Sequence, residues 1–310
     1  MKKVLIIGDP GVDDAFAIMY ALRHPEIEVV GIVSGYGNVS QQDTVRNTKL
    51  LLDLADLEEI PIILGADRPL TGEEPQYFYD VHGNYGLGGL IPDSPASIKV
   101  YPLTKVYELI DEHGKDLTLA NLSRLSTLAL MYLHPENNLD QVDQVLIMGG
   151  AFHVPGNVTP LAEANVYGDP QAAKVVAKHG RNLTFIPLNV SNRAIITNEV
   201  IDYLAQNSSS PYTPILEPIM SYYSKQYETI MPGINGAPLH DVTLFSYLLN
   251  PDRYFTVNRQ VHVTVDGPSR GLTHADFRPN PKTLDKDPIH TIVVDFDSSF
   301  FVKDFIKIMS

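Results

Sequence analysis

Cysteine and tryptophan are both absent from this 310-residue chain. Without cysteine there is no disulfide, no thiolate metal site and no cysteine nucleophile. Without tryptophan, stacking on a flat ligand falls to tyrosine or histidine. Basic charge is scarce too: 23 Lys and Arg stand against 37 Asp and Glu, a formal charge of −14, and no basic run offsets it. Such a balance repels phosphate backbones and argues against nucleic acid as a partner. No apolar stretch approaches the ~18 residues of a membrane span, so no membrane partner is expected. The opening MKKVLIIGDP holds an apolar run too short for a signal peptide, and it ends in Gly-Asp-Pro instead of a small-residue cleavage site. A cytoplasmic protein is the expectation.

What is present belongs to a globular protein: 44% apolar and 19% charged residues. The length suits one large α/β domain or two smaller ones, with ample core. Strand-like runs alternate with helical patterns. Val4–Ile7, Ile27–Ser34, the PIILG run, Leu117–Leu122, Val142–Met148 and Leu183–Val190 read as strands. Asp13–Leu22, Gln42–Leu57, Thr104–His113, Leu125–Leu133, Asp169–Lys178, Pro214–Ile230 and His240–Leu249 read as helices. The tail adds strands at Gln260–Val265 and Thr291–Phe296 and then a closing helix. Repeated β-α-β units with continuous apolar strands imply an open, mostly parallel sheet covered by helices on both faces. No composition shift marks a boundary, so a single domain spanning 1–310 is expected. The Gly/Pro-rich passage Ala66–Ala96 is too long for an idle connection.

Ligands of such sheets bind beyond the carboxyl ends of the strands. Polar residues gather at these positions: Asp9 after the first strand, Asn38 after the second, His82 in the long passage and Asn121-Leu122 at the end of LTLANL. Asn157, Glu163 and Asn165 follow the Gly149-Gly150 strand end, and Asn189 closes FIPLNV. The acids of GDPGVDDAFAI are the sharpest signal. One Asp at a helix start is explained by capping and the macrodipole. Asp9, Asp13 and Asp14 lie within six positions and repel one another unless a cation gathers them. Calcium accepts such mixed oxygen ligands; magnesium tolerates less irregular geometry, and the acid spacing is not that of an EF-hand. Asp241, beside His240 in NGAPLHDVTLFSYLL, offers another carboxylate, with His240 placed as a proton donor. A helix cap is the plainer account of that pair taken alone. The loop GNVTPLAEANVYGDP offers hydrogen-bonding groups for several hydroxyls, though surface loops also carry Asn and Glu without function. Tyr223 and Tyr227 on the long helix are candidates to stack on a base; core packing or simple surface exposure would account for their spacing at least as well.

In order, the acidic loop, the GN turn, HGNYGLGG, MGGAF with GNVTPLAEANVYGDPQAA, and PLHD resemble the inosine-uridine preferring nucleoside hydrolase family. The likeness runs from near residue 3 to the end. It implies an open α/β sheet, a tightly held Ca²⁺, and hydrolysis of ribonucleosides to ribose and free base, by a homodimer or homotetramer. By position, it implies Asp9 as general base and calcium ligand, with Asp14, Asp241 and the Leu122 carbonyl as further ligands. It implies Asp13, Asn38, Asn157, Glu163 and Asn165 as ribose binders with Met148 lining their pocket, and His82 and His240 as residues facing the base, His240 as acid. The chain departs from the motif in three places. Ile7 stands where the motif begins with Asp, NLSRLST replaces Thr-Gly-Pro-Leu-Thr-Asn, and Asn189 replaces a frequent Asp. A ribonucleoside-binding protein that has lost catalysis is the rival that Ile7 suggests. A Mg²⁺-dependent phosphoryl transferase is disfavoured, since the chain has no Gly-rich cradle with Lys and no basic clamp.

Overall fold

The computed structural model describes residues 1–92, 97–281 and 286–310. Its strands are β1 (Lys2–Gly8), β2 (Ile27–Ser34), β3 (Ile62–Leu64), β4 (Leu117–Asn121), β5 (Gln144–Met148), β6 (Leu183–Ile186), β7 (Ile195–Ile196), β8 (Ala237–Pro238), β9 (Tyr254–Arg259), β10 (His262–Val263), β11 (Thr273–His274) and β12 (His290–Phe296). Its helices are α1 (Val12–Arg23), α2 (Gln41–Leu54), α3 (Tyr79–His82), α4 (Lys105–His113), α5 (Ser126–Leu133), α6 (Ala164–Gly168), α7 (Pro170–His179), α8 (Leu188–Ser191), α9 (Asn198–Asn207), α10 (Thr213–Ile230), α11 (Val242–Leu249) and α12 (Ser298–Met309). The main sheet has the order β3-β2-β1-β4-β5-β6-β12-β9. Its pairings are parallel except at one edge, where β9 runs antiparallel to β12.

The apolar strands explain why both faces are covered. Successive side chains of a strand point to opposite faces, so a strand apolar at every position needs cover on both sides. Val4 and Ile6 join Ile32, Leu146 and Ile186 in one core, closed by Phe16 of α1, Ile219 of α10, Phe245 of α11 and Phe305 of α12. Leu5 and Ile7 join Val33, Leu119 and Ile147 in the other, closed by Ile110 of α4, Leu128 of α5 and Val176 of α7. Register then aligns the strand ends: Gly8 lies opposite Ser34, Ile7 opposite Asn121, and Met148 opposite Ile186. The loops that follow β1, β2, β4 and β5 therefore open on one rim.

Two sequence expectations are corrected, and one helix was missed. The strand expected over Leu183–Val190 ends at Ile186; Pro187 has no N–H for the ladder, and the chain turns into α8, which carries Asn189. The strand expected over Gln260–Val265 is displaced. The sheet edge is β9, earlier in the chain, and only His262–Val263 pairs, as β10 with β11 in a separate two-stranded piece. The alternation in β9 is faint because an edge strand buries little. Helix α9 was not anticipated. In the long passage, α3 forms over residues 79–82, and Tyr101 beyond it bridges to Ile63; residues 93–96 of that passage lie outside the described residues. Among the described residues, no helix is long and apolar enough to cross a membrane.

Asp169 locks α7 to the rim. Its Oδ1 accepts from the Ala172 amide (3.0 Å), and its Oδ2 accepts from the Leu70 amide (2.8 Å) and the Ser126 hydroxyl (2.7 Å). Asp169→Ala strands these donors in a buried setting and is expected to cost about 2–4 kcal/mol. A urea midpoint unchanged from wild type would remove that role.

Candidate active site

β1 delivers Asp9 to the rim, and the chain turns through Pro10-Gly11 into α1. Asp14, in the first turn of α1, folds its carboxylate back over this turn. Its Oδ1 accepts from the Asp9 amide (3.1 Å) and its Oδ2 from the Gly11 amide (3.2 Å). Asn38, in the turn after β2, donates from Nδ2 to Asp14 Oδ2 (2.9 Å), while its own amide donates to Asp9 Oδ2 (2.7 Å). The approach is close enough to require glycine: a Cβ at Gly37 would sit 1.7 Å from Asp9 Oδ2, and one at Gly11 would sit 2.5 Å from His82 Nδ1. Ile7, in place of an acid, is fully buried in the core beneath. The loop is thus held by Asp14 and Asn38 without a carboxylate at position 7.

Asp241 arrives at the start of α11. Carboxylate oxygens of Asp13, Asp14 and Asp241 lie within 4.8 Å of one another, all three residues buried. Asp9 Oδ1 and Asp13 Oδ1 are buried without a hydrogen-bond partner. Burial pushes the Asp9 and Asp241 carboxyls well above the usual range, and the neighbouring acids add to it. Burial likewise moves Asp13 to about 8 and Asp14 to about 6. Buried charges of one sign are costly unless something compensates them. Among the described residues, Arg124 is the one buried Arg or Lys, and no ion pair joins it to these acids. An all-oxygen, carboxylate-rich donor set of this kind fits a hard divalent cation. Asp13, expected to bind ribose, contributes an oxygen to that cluster. The expected ligand oxygen of Leu122 accepts from Asn165 Nδ2 at 2.7 Å.

The loop after β5 supplies the residues expected to face the sugar. Glu163 is buried; its Oε2 accepts from the Gly150 (2.9 Å) and Val166 (3.1 Å) amides, and its Oε1 from the Asn165 amide (2.7 Å). Asn165 spends its amide on Leu122 O and on Met148 O (3.1 Å), tying the ends of β4 and β5 together. Asn157 is exposed, and its Oδ1 accepts from the Ala164 amide (2.9 Å). These residues brace their own loop first and offer their remaining atoms to a ligand. Met148, buried, lies against Asn165.

The opposite wall is aromatic. His82 Nδ1 accepts from the Val12 amide (3.1 Å), so its ring hydrogen resides on Nε2. The His82 ring lies 5.5 Å from Tyr223, which meets Tyr227 edge-on at 4.8 Å. Tyr227 Oη lies 2.8 Å from His240 Nε2, and His240 Nδ1 lies 3.0 Å from Ser191 Oγ. Burial lowers His82 to about 3 and His240 to about 4, so both rings are neutral near pH 7. Burial raises the Tyr223 and Tyr227 hydroxyls. Both tyrosines, placed only by helical spacing in the sequence, are buried between the two histidines.

Residues 4–303 match the family model described as inosine-uridine preferring nucleoside hydrolase. The chain belongs to this family. It is 32% identical over 277 residues to uridine nucleosidase 1 of Arabidopsis thaliana, covering 89% of this chain and 82% of the relative. It is 31% identical to the inosine-uridine preferring nucleoside hydrolase of Crithidia fasciculata, covering 91% and 89%. Among solved structures, a purine-preferring ribonucleoside hydrolase of Gardnerella vaginalis superposes with a TM-score of 0.90 at 30% identity, covering 99% of this chain and 98% of that one. A plant nucleoside hydrolase superposes with a TM-score of 0.92 at 29% identity, with the same coverage.

Three contributors were not visible in the sequence. Ser191 meets His240 only because Pro187 turns the chain into α8. Asn47 of α2 donates to Pro10 O (2.8 Å) and Tyr85 O (2.7 Å), joining the acidic loop to the long passage. Arg124 was signalled only as a departure from the family motif. The electrostatics set the pH behaviour of the cation-free protein. Folded carboxyls raised above their unfolded values favour the protonated fold, so their contribution to stability falls as pH rises from about 4 through the folded values. The lowered histidines act oppositely, but their contribution is complete above about pH 6.5. Between about pH 6.5 and 8 the carboxyls, Asp13 among them, therefore dominate. In chelator, the melting temperature is expected to fall across that window, and excess Ca²⁺ is expected to remove the fall. A slope identical with and without the ion would contradict the cluster's role.

Proposed function

We propose that this protein hydrolyses the N-glycosidic bond of ribonucleosides to ribose and free base, with Ca²⁺ as its resident cation. The observation that carries the reading is the buried cluster of carboxylates, with orphaned oxygens, at strand ends opposite a wall of tyrosine and neutral histidine. Asp9, Asp14, Asp241 and the Leu122 carbonyl would hold the ion, with the Asp13 oxygen adjoining. When bound, the ion supplies Lewis-acid chemistry toward hydroxyl and water oxygens.

The residues of the chain divide the remaining work. Asp9 Oδ2 is anchored by the Asn38 amide, which leaves Oδ1 free to take a proton from the attacking water. Breaking the bond builds positive charge on the sugar. The surrounding aspartates stabilise that charge where it forms. Asp13, Asn38, Asn157, Glu163 and Asn165 orient the sugar, with Met148 beneath it, and orientation lowers the barrier. His82 presents its Nε2–H to the base, and Tyr223 and Tyr227 flank it. His240, bonded to Tyr227 and Ser191, would help pass a proton through Tyr227 to the departing base, and the proton that Asp9 takes from water balances it when the products leave. The same reading carries a cytoplasmic setting and assembly as a homodimer or homotetramer.

A reducing-sugar assay on inosine, uridine, cytidine and adenosine, with and without chelator, is the test. Ribose release is expected for at least one nucleoside, lost in chelator and restored by Ca²⁺. Asp9→Ala is expected to lower kcat by about 10³ or more while the melting curve stays cooperative. Near-normal kcat in that variant would refute Asp9 as the base. Nucleoside binding by the wild type without ribose release would favour the rival, a catalytically impaired ribonucleoside-binding protein.

A further inference from the structure

Arg124 is 2% exposed, yet no carboxylate pairs with it among the described residues. Its Nη1 is buried and has no hydrogen-bond partner. A guanidinium confined in this way is costly unless its surroundings compensate. Its surroundings are aromatic: the guanidinium carbon lies 5.0 Å from the Tyr36 ring centre and 5.5 Å from that of Phe78, distances at which cation–π attraction operates. Nη2 donates to Gln76 O. Space for the side chain is made by Gly168, where a Cβ would lie 2.3 Å from Arg124 Nε. The residue sits just past β4, in the stretch where this chain departs from its family motif.

Phe78 and Gln76 belong to the arm that ends in His82. Phe78 O accepts from the His82 amide (2.9 Å), and the Phe78 amide donates to Asn38 O (2.9 Å). Beyond His82, the arm is folded tightly onto α10. A Cβ at Gly83 would lie 2.0 Å from Gly88 O, and one at Gly88 would lie 2.8 Å from Tyr222 Cβ. The arm therefore has a packed end on α10 and another end held by the Asn38 carbonyl and the Arg124 guanidinium. We propose that Arg124 is a positioning residue that clamps the Gln76–Phe78 segment to the end of β4 and so holds His82 on the base side of the pocket. The inference rests on the nucleoside hydrolase reading. It assigns Arg124 to base-side binding and leaves the sugar side to the carboxylate cluster and the loop after β5.

The test compares wild type with Arg124→Met, Arg124→Lys and Phe78→Leu, using a nucleoside that the wild type cleaves and D-ribose as a probe of the sugar side. Arg124→Met is expected to raise nucleoside KM about tenfold or more, since it loses a charge-assisted hydrogen bond and both ring contacts. The inhibition constant for ribose is expected to shift several-fold less than the nucleoside KM, because Arg124 reaches Asp9 and Glu163 only through space, with no bond to either. Arg124→Lys keeps the charge without the planar fork and should recover part of the loss. Phe78→Leu removes the arm's half of the contact while leaving the buried charge, and should raise KM in the same direction. It carries the test if Arg124→Met does not fold. Amide hydrogen exchange should quicken over residues 76–83 and not over residues 9–14. Equal shifts in nucleoside KM and ribose inhibition, or a Phe78→Leu variant with wild-type KM and exchange, would overturn the proposal. A wild type that releases no ribose would instead overturn the parent reading, while the exchange pattern would still decide whether Arg124 clamps the arm.

Discussion

Like charge held out of water is the constraint on which this molecule turns. Asp9, Asp13, Asp14, Glu163 and Asp241 are all buried, and they converge from loops far apart in the chain. The other four raise the cost of ionising Asp241. The fold spends much of its local structure on containing that repulsion. Asp14 is drawn onto the Asp9 and Gly11 amides, Glu163 onto three amides of its own loop, and Asp9 onto Asn38. These bonds satisfy some carboxylate oxygens and leave others aimed at one small volume. A multivalent cation would remove the remaining imbalance, and the residues that repel one another form an all-oxygen donor set suited to hard ions.

The rim then separates into two walls with different physics. The sugar wall is polar and self-braced: Asn165 ties β4 to β5, and Asn157 and Glu163 hold their loop to itself. The base wall is built from side chains on α3, α10 and the segment before α11, with neutral imidazoles and high-pKa hydroxyls. Burial explains both states of charge. It opposes anions and cations alike, so the acids are pushed up and the histidines down. The base wall can therefore make hydrogen bonds without placing fixed charge beside the carboxylates.

Much of the architecture was legible in the residues. Continuous apolar strands such as β2 announced a two-faced sheet, and Ile27–Ser34 was bounded correctly because both ends carry polar or turn residues. The acidic loop was legible because three acids in six positions have few structural explanations. Less legible was anything that depends on a weak pattern. The β9 edge was misplaced because only part of it is buried. The α8 turn was read as strand because Leu188 and Val190, two positions apart, fit the period of a strand as well. Arg124 entered only as part of a variant motif, since nothing local reveals that Gly168, Tyr36 and Phe78 enclose it.

By itself the sequence determined the sheet class, the place of the acids at strand ends, the family and the residue types available for chemistry. These follow from short-range patterns: period, capping, and the cost of adjacent like charges. Only the tertiary structure decided which atoms remain free. It showed that Asp13 joins the carboxylate cluster, that Asn165 spends its amide on backbone carbonyls, and that His240 faces Tyr227 and Ser191. Those outcomes depend on hydrogen bonds between segments tens to hundreds of residues apart. A donor or acceptor is available to a ligand only after the fold has claimed its share.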